Sequence, residues 1–171
     1  MDVEWRPFYL YFDTPPEGRE LPDHVKRAPA NGSEERLRSI ASLYGMDFES
    51  TERIYNTRIA HEATEYAREQ GMGNEFHRIV FRKLYAEKQD ISQWEVLRSA
   101  AEQAGLNPDE MQRKVEGDIY KASVEEQVRW AYQIGVTGVP TYVINNRFAV
   151  VGAQPYEVFK DAVEQIRNQK G

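Results

Sequence analysis

The chain has no cysteine in its 171 residues. That excludes a disulfide, a thiolate metal site and a cysteine nucleophile among these residues. Histidine is scarce too, with three copies scattered at His24, His61 and His77, so no metal site is expected. No apolar run approaches the length of a membrane span. Basic residues do not outnumber acidic ones. With 22 Lys and Arg against 28 Asp and Glu, the formal charge is −6, which argues against a nucleic-acid surface. The opening "MDVEWRPFYLYF" lacks the basic flank, apolar segment and small-residue cleavage site of a secretory signal. A cytoplasmic setting is the expectation that follows. There is no Gly-rich phosphate loop and no G-x-S-x-G elbow, no repeat at a fixed period and no low-complexity tract.

What is present fits one soluble domain, or one domain with an insertion. Apolar residues make up 40% and charged residues 29%, ordinary values for a globular protein. "VEWRPFYL" (3–10) alternates apolar and charged residues and predicts a strand, at a sheet edge because Pro7 has no N–H to give. Residues 13–32 read as a polar, proline-rich surface loop.

Helical periodicity dominates from there. Ser33 is placed as the cap of a helix to about residue 44, with Leu37, Ile40, Ala41 and Tyr44 on one face and Gly45 as its stop. Residues 56–71 predict a helix burying Ile59, Ala60, Ala63, Tyr66 and Ala67. Residues 74–88 predict another, burying Phe76, Ile79, Val80 and Leu84. "SQWE" (92–95) and "SVEE" (123–126) match capping boxes, and Asn107-Pro108 reads as an N-cap followed by the first helical residue. Near the end, two strands flank Asn145-Asn146, a hairpin signal because asparagine tolerates positive φ. A helix from Pro155 turns Val158, Phe159, Ala162, Val163 and Ile166 inward. Trp5, Trp94 and Trp130 are expected in the core.

Candidate chemistry is thin outside one loop. Glu34, Glu35, Asp109 and Glu110 sit in first helical turns, where carboxylates suit the helix dipole. "HEATE" (61–65) starts like a zinc-binding helix, but Glu65 stands where the second histidine belongs. His61 falls with Thr57, Glu65 and Arg68 off the apolar face, on a solvated side. The loop "GVTGVPTYV" (135–143) is different. Gly138 permits a close approach, and Val139-Pro140 leads directly into an apolar strand. A cis bond there would turn the Val139 N–H and C=O outward, to pair with an extended peptide or a glutathione-like tripeptide. On spacing alone the ordinary trans proline stays the default.

The tail "GVTGVPTYVINNRFAVVGAQP" (135–155) with its following helix resembles the DsbA-like thiol–disulfide oxidoreductases. "VEWRPFYL", "NTRIAHEATEYAREQG" (56–71) and "DISQWEVLRSAAEQAGL" (90–106) are similar, in order, to their FrnE-like branch. The resemblance implies an α/β fold, thioredoxin-like of the DsbA type with an all-helical insertion. Residues 1–12 and 134–171 would form the thioredoxin-like part, and 33–133 the insertion and connecting helices. It implies that Gly138, Val139 and Pro140 form a substrate-backbone platform, with Asn56, Thr57 and His61 near the cleft and Gln154 beginning the last helix at a carboxylate-binding spot. In the family a strand and a C-x-x-C helix precede "VEWRPF". Here that unit is missing, so the resemblance also implies an incomplete sheet, with residues 1–12 poorly anchored or docked on a second copy.

Three functions follow as expectations. The first is a member of a thiol–disulfide oxidoreductase family whose own residues cannot exchange a dithiol, since exchange needs a thiolate. The second is a cysteine-free module holding an extended peptide or glutathione. The third is part of a glutathione-dependent isomerase or transferase of the same fold. No catalytic residue, metal or resident cofactor is assigned, and neither nucleic acid nor membrane is expected as a partner.

Overall fold

The computed structural model describes residues 3–22, 33–146 and 148–168. Seven helices and two small two-stranded antiparallel sheets make up the regular structure of these residues, in the order β1 (Arg19–Glu20), α1 (Ser33–Leu43), β2 (Arg53–Ile54), α2 (Arg58–Glu69), α3 (Gly73–Tyr85), α4 (Trp94–Gln103), α5 (Pro108–Glu116), α6 (Lys121–Gln133), β3 (Thr141–Ile144), β4 (Phe148–Val151) and α7 (Tyr156–Asn168).

The core is helical. α2 packs on α3, α5 and α6, and α4 on α3 and α5. Ala60, Ala63 and Ala67 of α2 and Ala100 and Ala101 of α4 are small enough to let the backbones close up. Tyr66, Phe76, Leu97 and Met111 fill the space between them. Asn107 caps α5, its side chain accepting from the N–H groups of Asp109 and Glu110. That satisfies donors the helix cannot. β3 and β4 pair antiparallel with Ile144 opposite Phe148. The reversal runs through Asn145 and Asn146 at φ 52° and 54°, the left-handed values their side chains tolerate. α7 closes on this hairpin through an edge-to-face contact of Tyr142 and Phe159.

Several expectations fail, each for a local reason. Residues 3–10 form no strand: their backbone makes no backbone hydrogen bond among the described residues. A ladder needs a neighbour, and none is supplied. The segment is nonetheless anchored, by side chains. Trp5 stacks on His77, Arg6 lies over Trp130, Phe8 meets Tyr132 and Glu4 pairs with Arg68. The 13–32 loop is ordered in its first part, where Arg19 and Glu20 pair with Ile54 and Arg53; residues 23–32 lie outside the described residues. Gly18 makes that pairing possible. It sits at φ +72°, and a Cβ there would lie 2.6 Å from the Ile54 carbonyl oxygen.

Neither capping box is made. Ser92 donates to the Asp90 carboxylate, leaving Gln93 at the N-cap of α4. Ser123 lies inside α6 and donates to Glu65. Of the α1 face, Ala41 is buried while Leu37, Ile40 and Tyr44 are exposed. On α7, Ile166 is buried and Val158 is exposed. None of the three tryptophans is buried: Trp5 is 46% exposed, and Trp94 and Trp130 are half-covered at the rim.

Candidate functional site

The 135–141 loop is built from its two ends. α6 stops at Gly135, whose φ of +83° lets the Val136 N–H reach back to the Ala131 carbonyl. The Val139–Pro140 bond is cis. Thr141 Oγ1 donates to the Gly138 carbonyl at 2.7 Å. The Gly152 N–H donates to the Pro140 carbonyl at 2.8 Å, tying the loop to the end of β4. Between these ties, the Val139 N–H and C=O have no partner among the described residues, and the residue is 54% exposed. A Cβ on Gly138 would meet nothing within 4 Å among the described residues, so that side of the glycine is open. The ladder of β3 is taken up by β4 on one edge. Chemically, the loop is a fixed backbone donor and acceptor presented to solvent, the arrangement that adds an extended peptide.

Gln154 sits beside this loop in a different role from the expected one. It lies two residues before α7 begins at Tyr156, and its side-chain amide donates to the Val151 carbonyl. It stabilises the turn out of β4 and does not open the helix.

Asn56, Thr57 and His61 come together at the start of α2. Asn56 is engaged within the chain: its amide donates to the Thr14 carbonyl and its oxygen accepts from the Arg58 N–H. Thr57 holds the N-cap position without a side-chain cap. His61 is half-covered and meets the Tyr9 ring at 5.5 Å, so it does not stand on a solvated face. Burial, then the charge of nearby His77, lowers its pKa to about 4. It is neutral at neutral pH. No hydrogen bond, ion pair or ring contact among the described residues joins this group to Gly138–Pro140. Tyr9, which meets His61, is tied instead to α6, where the Tyr132 hydroxyl donates to its carbonyl.

Two buried carboxylates were not expected. Glu62 and Glu65 of α2 are both covered. Glu62 accepts from Arg58 at 2.9 Å through one oxygen, and its other oxygen has no partner among the described residues. Burial raises its pKa, with Arg58 opposing. It also acts on Tyr9, which burial and then Glu62 push to about 12. The signal was in the periodicity: position 62 is three residues from Ile59 and four from Tyr66, on the buried face. Glu65 pairs with Arg68 beside an open polar cleft of about 290 Å³ between Glu4, Arg6, Ser123, Gln127 and Trp130. Among the described residues, no group of three acidic or histidine side chains comes together as a metal site would require.

A family model described as a DSBA-like thioredoxin domain matches residues 1–164. YwbO, an uncharacterized protein of Bacillus subtilis (strain 168), is 26% identical over 173 residues, spanning 99% of this chain and 84% of that protein. Among solved structures, a "probable DsbA oxidoreductase" from Streptomyces coelicolor superposes with a TM-score of 0.83 at 25% identity, over 94% of this chain and 73% of that one. A 2-hydroxychromene-2-carboxylate isomerase shares the fold, with a TM-score of 0.71 at 18% identity over 88% of this chain and 73% of the other. The helix-rich α/β architecture and the matched span agree, and the chain belongs to the DSBA-like thioredoxin domain family.

Proposed function

We propose that this chain binds extended polypeptide, or a glutathione-like thiol tripeptide, through the backbone of Val139, and that its own residues carry out no thiol–disulfide exchange. The observation that carries the reading is the exposed, unpartnered N–H and C=O of Val139, on a loop fixed on both sides by hydrogen bonds from Thr141 and Gly152. A donor and acceptor held in place lose little entropy on pairing. Gly138 leaves room for an incoming backbone. The redox silence rests on composition: with no cysteine, no thiolate is available to attack a disulfide. The reading places the chain in the FrnE-like branch and in the cytoplasm, on the sequence features given above. Asn56, Thr57 and His61 are a second wall of the substrate cleft in this reading, with no contact to the loop among the described residues.

A second reading, a glutathione-using isomerase or transferase, is favoured by the shared fold with the chromene-carboxylate isomerase. It rests on the fold alone.

Calorimetric titration separates these. An extended peptide should bind, and the same peptide N-methylated along the backbone should bind at least several-fold more weakly, because its donors are blocked. Insulin precipitation in dithiothreitol should run at the protein-free rate. Equal binding of the two peptides, or a clear acceleration of insulin reduction, contradicts the proposal. Conversion of a chromene carboxylate with glutathione would favour the second reading.

A further inference from the structure

Residues 3–9 carry no helix, turn or ladder, yet their side chains alternate as in an extended chain. Arg6 and Phe8 turn to Trp130 and Tyr132 of α6, while Trp5 and Tyr9 turn to His77 of α3 and His61 of α2. In extended backbone, the N–H and C=O of successive residues also point to opposite edges. The odd edge is interrupted: the Tyr9 carbonyl is taken by the Tyr132 hydroxyl, and Pro7 has no N–H to give. The even edge, carried by Glu4, Arg6 and Phe8, has no hydrogen bond to its backbone groups among the described residues.

We infer that this even edge pairs, antiparallel and about a two-fold axis at Trp5, with the same edge of a second copy of the chain. The charges select the partner and the register. With Trp5 opposite itself, Glu4 of each copy faces Arg6 of the other, and the two residues exchange both backbone hydrogen bonds. Centring on Glu4 sets carboxylate against carboxylate, and centring on Arg6 sets guanidinium against guanidinium. In the chosen register Pro7 falls opposite Val3 at a non-hydrogen-bonded position, where a missing donor costs nothing. Pairing also brings the exposed side chain of Trp5 beside its counterpart and that of Val3 beside Pro7. An unprotected edge of this kind is a template for pairing, and an isologous contact closes at two chains. A strand of this length falls short of the roughly 1,200 Å² of a stable interface, so the dimer is weak and concentration-dependent.

Sedimentation of the full chain across a wide concentration range tests this. The mass should rise from one chain toward two and stop there. Glu4→Arg alone and Arg6→Glu alone should each hold the chain monomeric, because like charges then face each other. An equimolar mixture of the two variants should recover the dimer, since one strand is then all positive and the other all negative. Because the chain has no cysteine, Trp5→Cys supplies an independent reading. Under mild oxidation it should cross-link two chains across the axis, where Cα atoms lie about 4.5 Å apart, while Leu10→Cys should not. A single-chain mass throughout, growth past two chains, a mixture that stays monomeric, or equal cross-linking at both positions overturns the inference.

Discussion

Trp5 lies flat on His77, with ring centroids 4.1 Å apart and planes 19° from parallel. Tyr9, four residues on, covers His61. Two aromatic residues of one unpaired segment therefore hold two histidines away from water, and this contact replaces the ladder as the anchor of residues 3–10.

Acid should loosen the fold. Burial sets both histidines at about 4, against 6.5 in an unfolded chain. Above 6.5 neither state binds the proton and neither histidine affects stability. Between 6.5 and 4 the unfolded chain binds protons that the folded chain refuses, so stability falls as pH falls, and the loss levels off below 4. Denaturant midpoints across that window should drop for the native sequence. They should drop less for His77→Phe, which keeps a ring beneath Trp5. An unchanged slope contradicts the burial assignment.

Glu62 works in the opposite sense. Its folded pKa is raised, so the folded chain takes a proton more readily than the unfolded chain does. Stability from this group is gained as pH falls through the folded pKa toward the unfolded value. Glu62→Gln removes that gain. The variant should lose more stability than the native chain over the same acid titration. A shallower loss would show that Arg58 already compensates the buried charge.

The cap of α5 gives a local test. Asn107→Ala should cost about 1 kcal/mol and Asn107→Gly only a few tenths, measured by chemical denaturation. Equal losses would mean the side-chain bonds to Asp109 and Glu110 contribute little.

Two glycines with similar backbone should respond differently. Gly135→Ala meets open space at φ +83° and should cost only the conformational penalty of about 1–2 kcal/mol. Gly18→Ala adds a 2.6 Å approach to the Ile54 carbonyl, and should cost more and break the β1–β2 pairing. Matching losses would show that the backbone there gives way.

Local signals were legible in the sequence. The 3.6-residue period located α2 and α3, Asn107-Pro108 marked the start of α5, and Asn145-Asn146 marked the hairpin. What failed depended on partners far along the chain. The alternation of "VEWRPFYL" is real, but helices take its side chains and no strand takes its backbone. β1 and β2 are too short for any periodic signal. Asp90 outcompetes the capping box by holding Ser92. At the site, Gly138–Pro140 was readable as a motif. The burial of Glu62 follows from its spacing to Ile59 and Tyr66 on the apolar stripe, against what its charge alone suggests. The engagement of Asn56 by Thr14, 42 residues away, left no trace in local pattern.

The central claim is that Val139 offers its backbone to an extended ligand. Amide resonances of the isotopically labelled chain, followed while an extended peptide is added, test it most directly. The Val139 N–H should shift downfield as it gains a partner and become protected from hydrogen exchange, with smaller shifts at Gly138 and Thr141 and none in α4. Saturable binding that leaves Val139 unmoved and unprotected would contradict it.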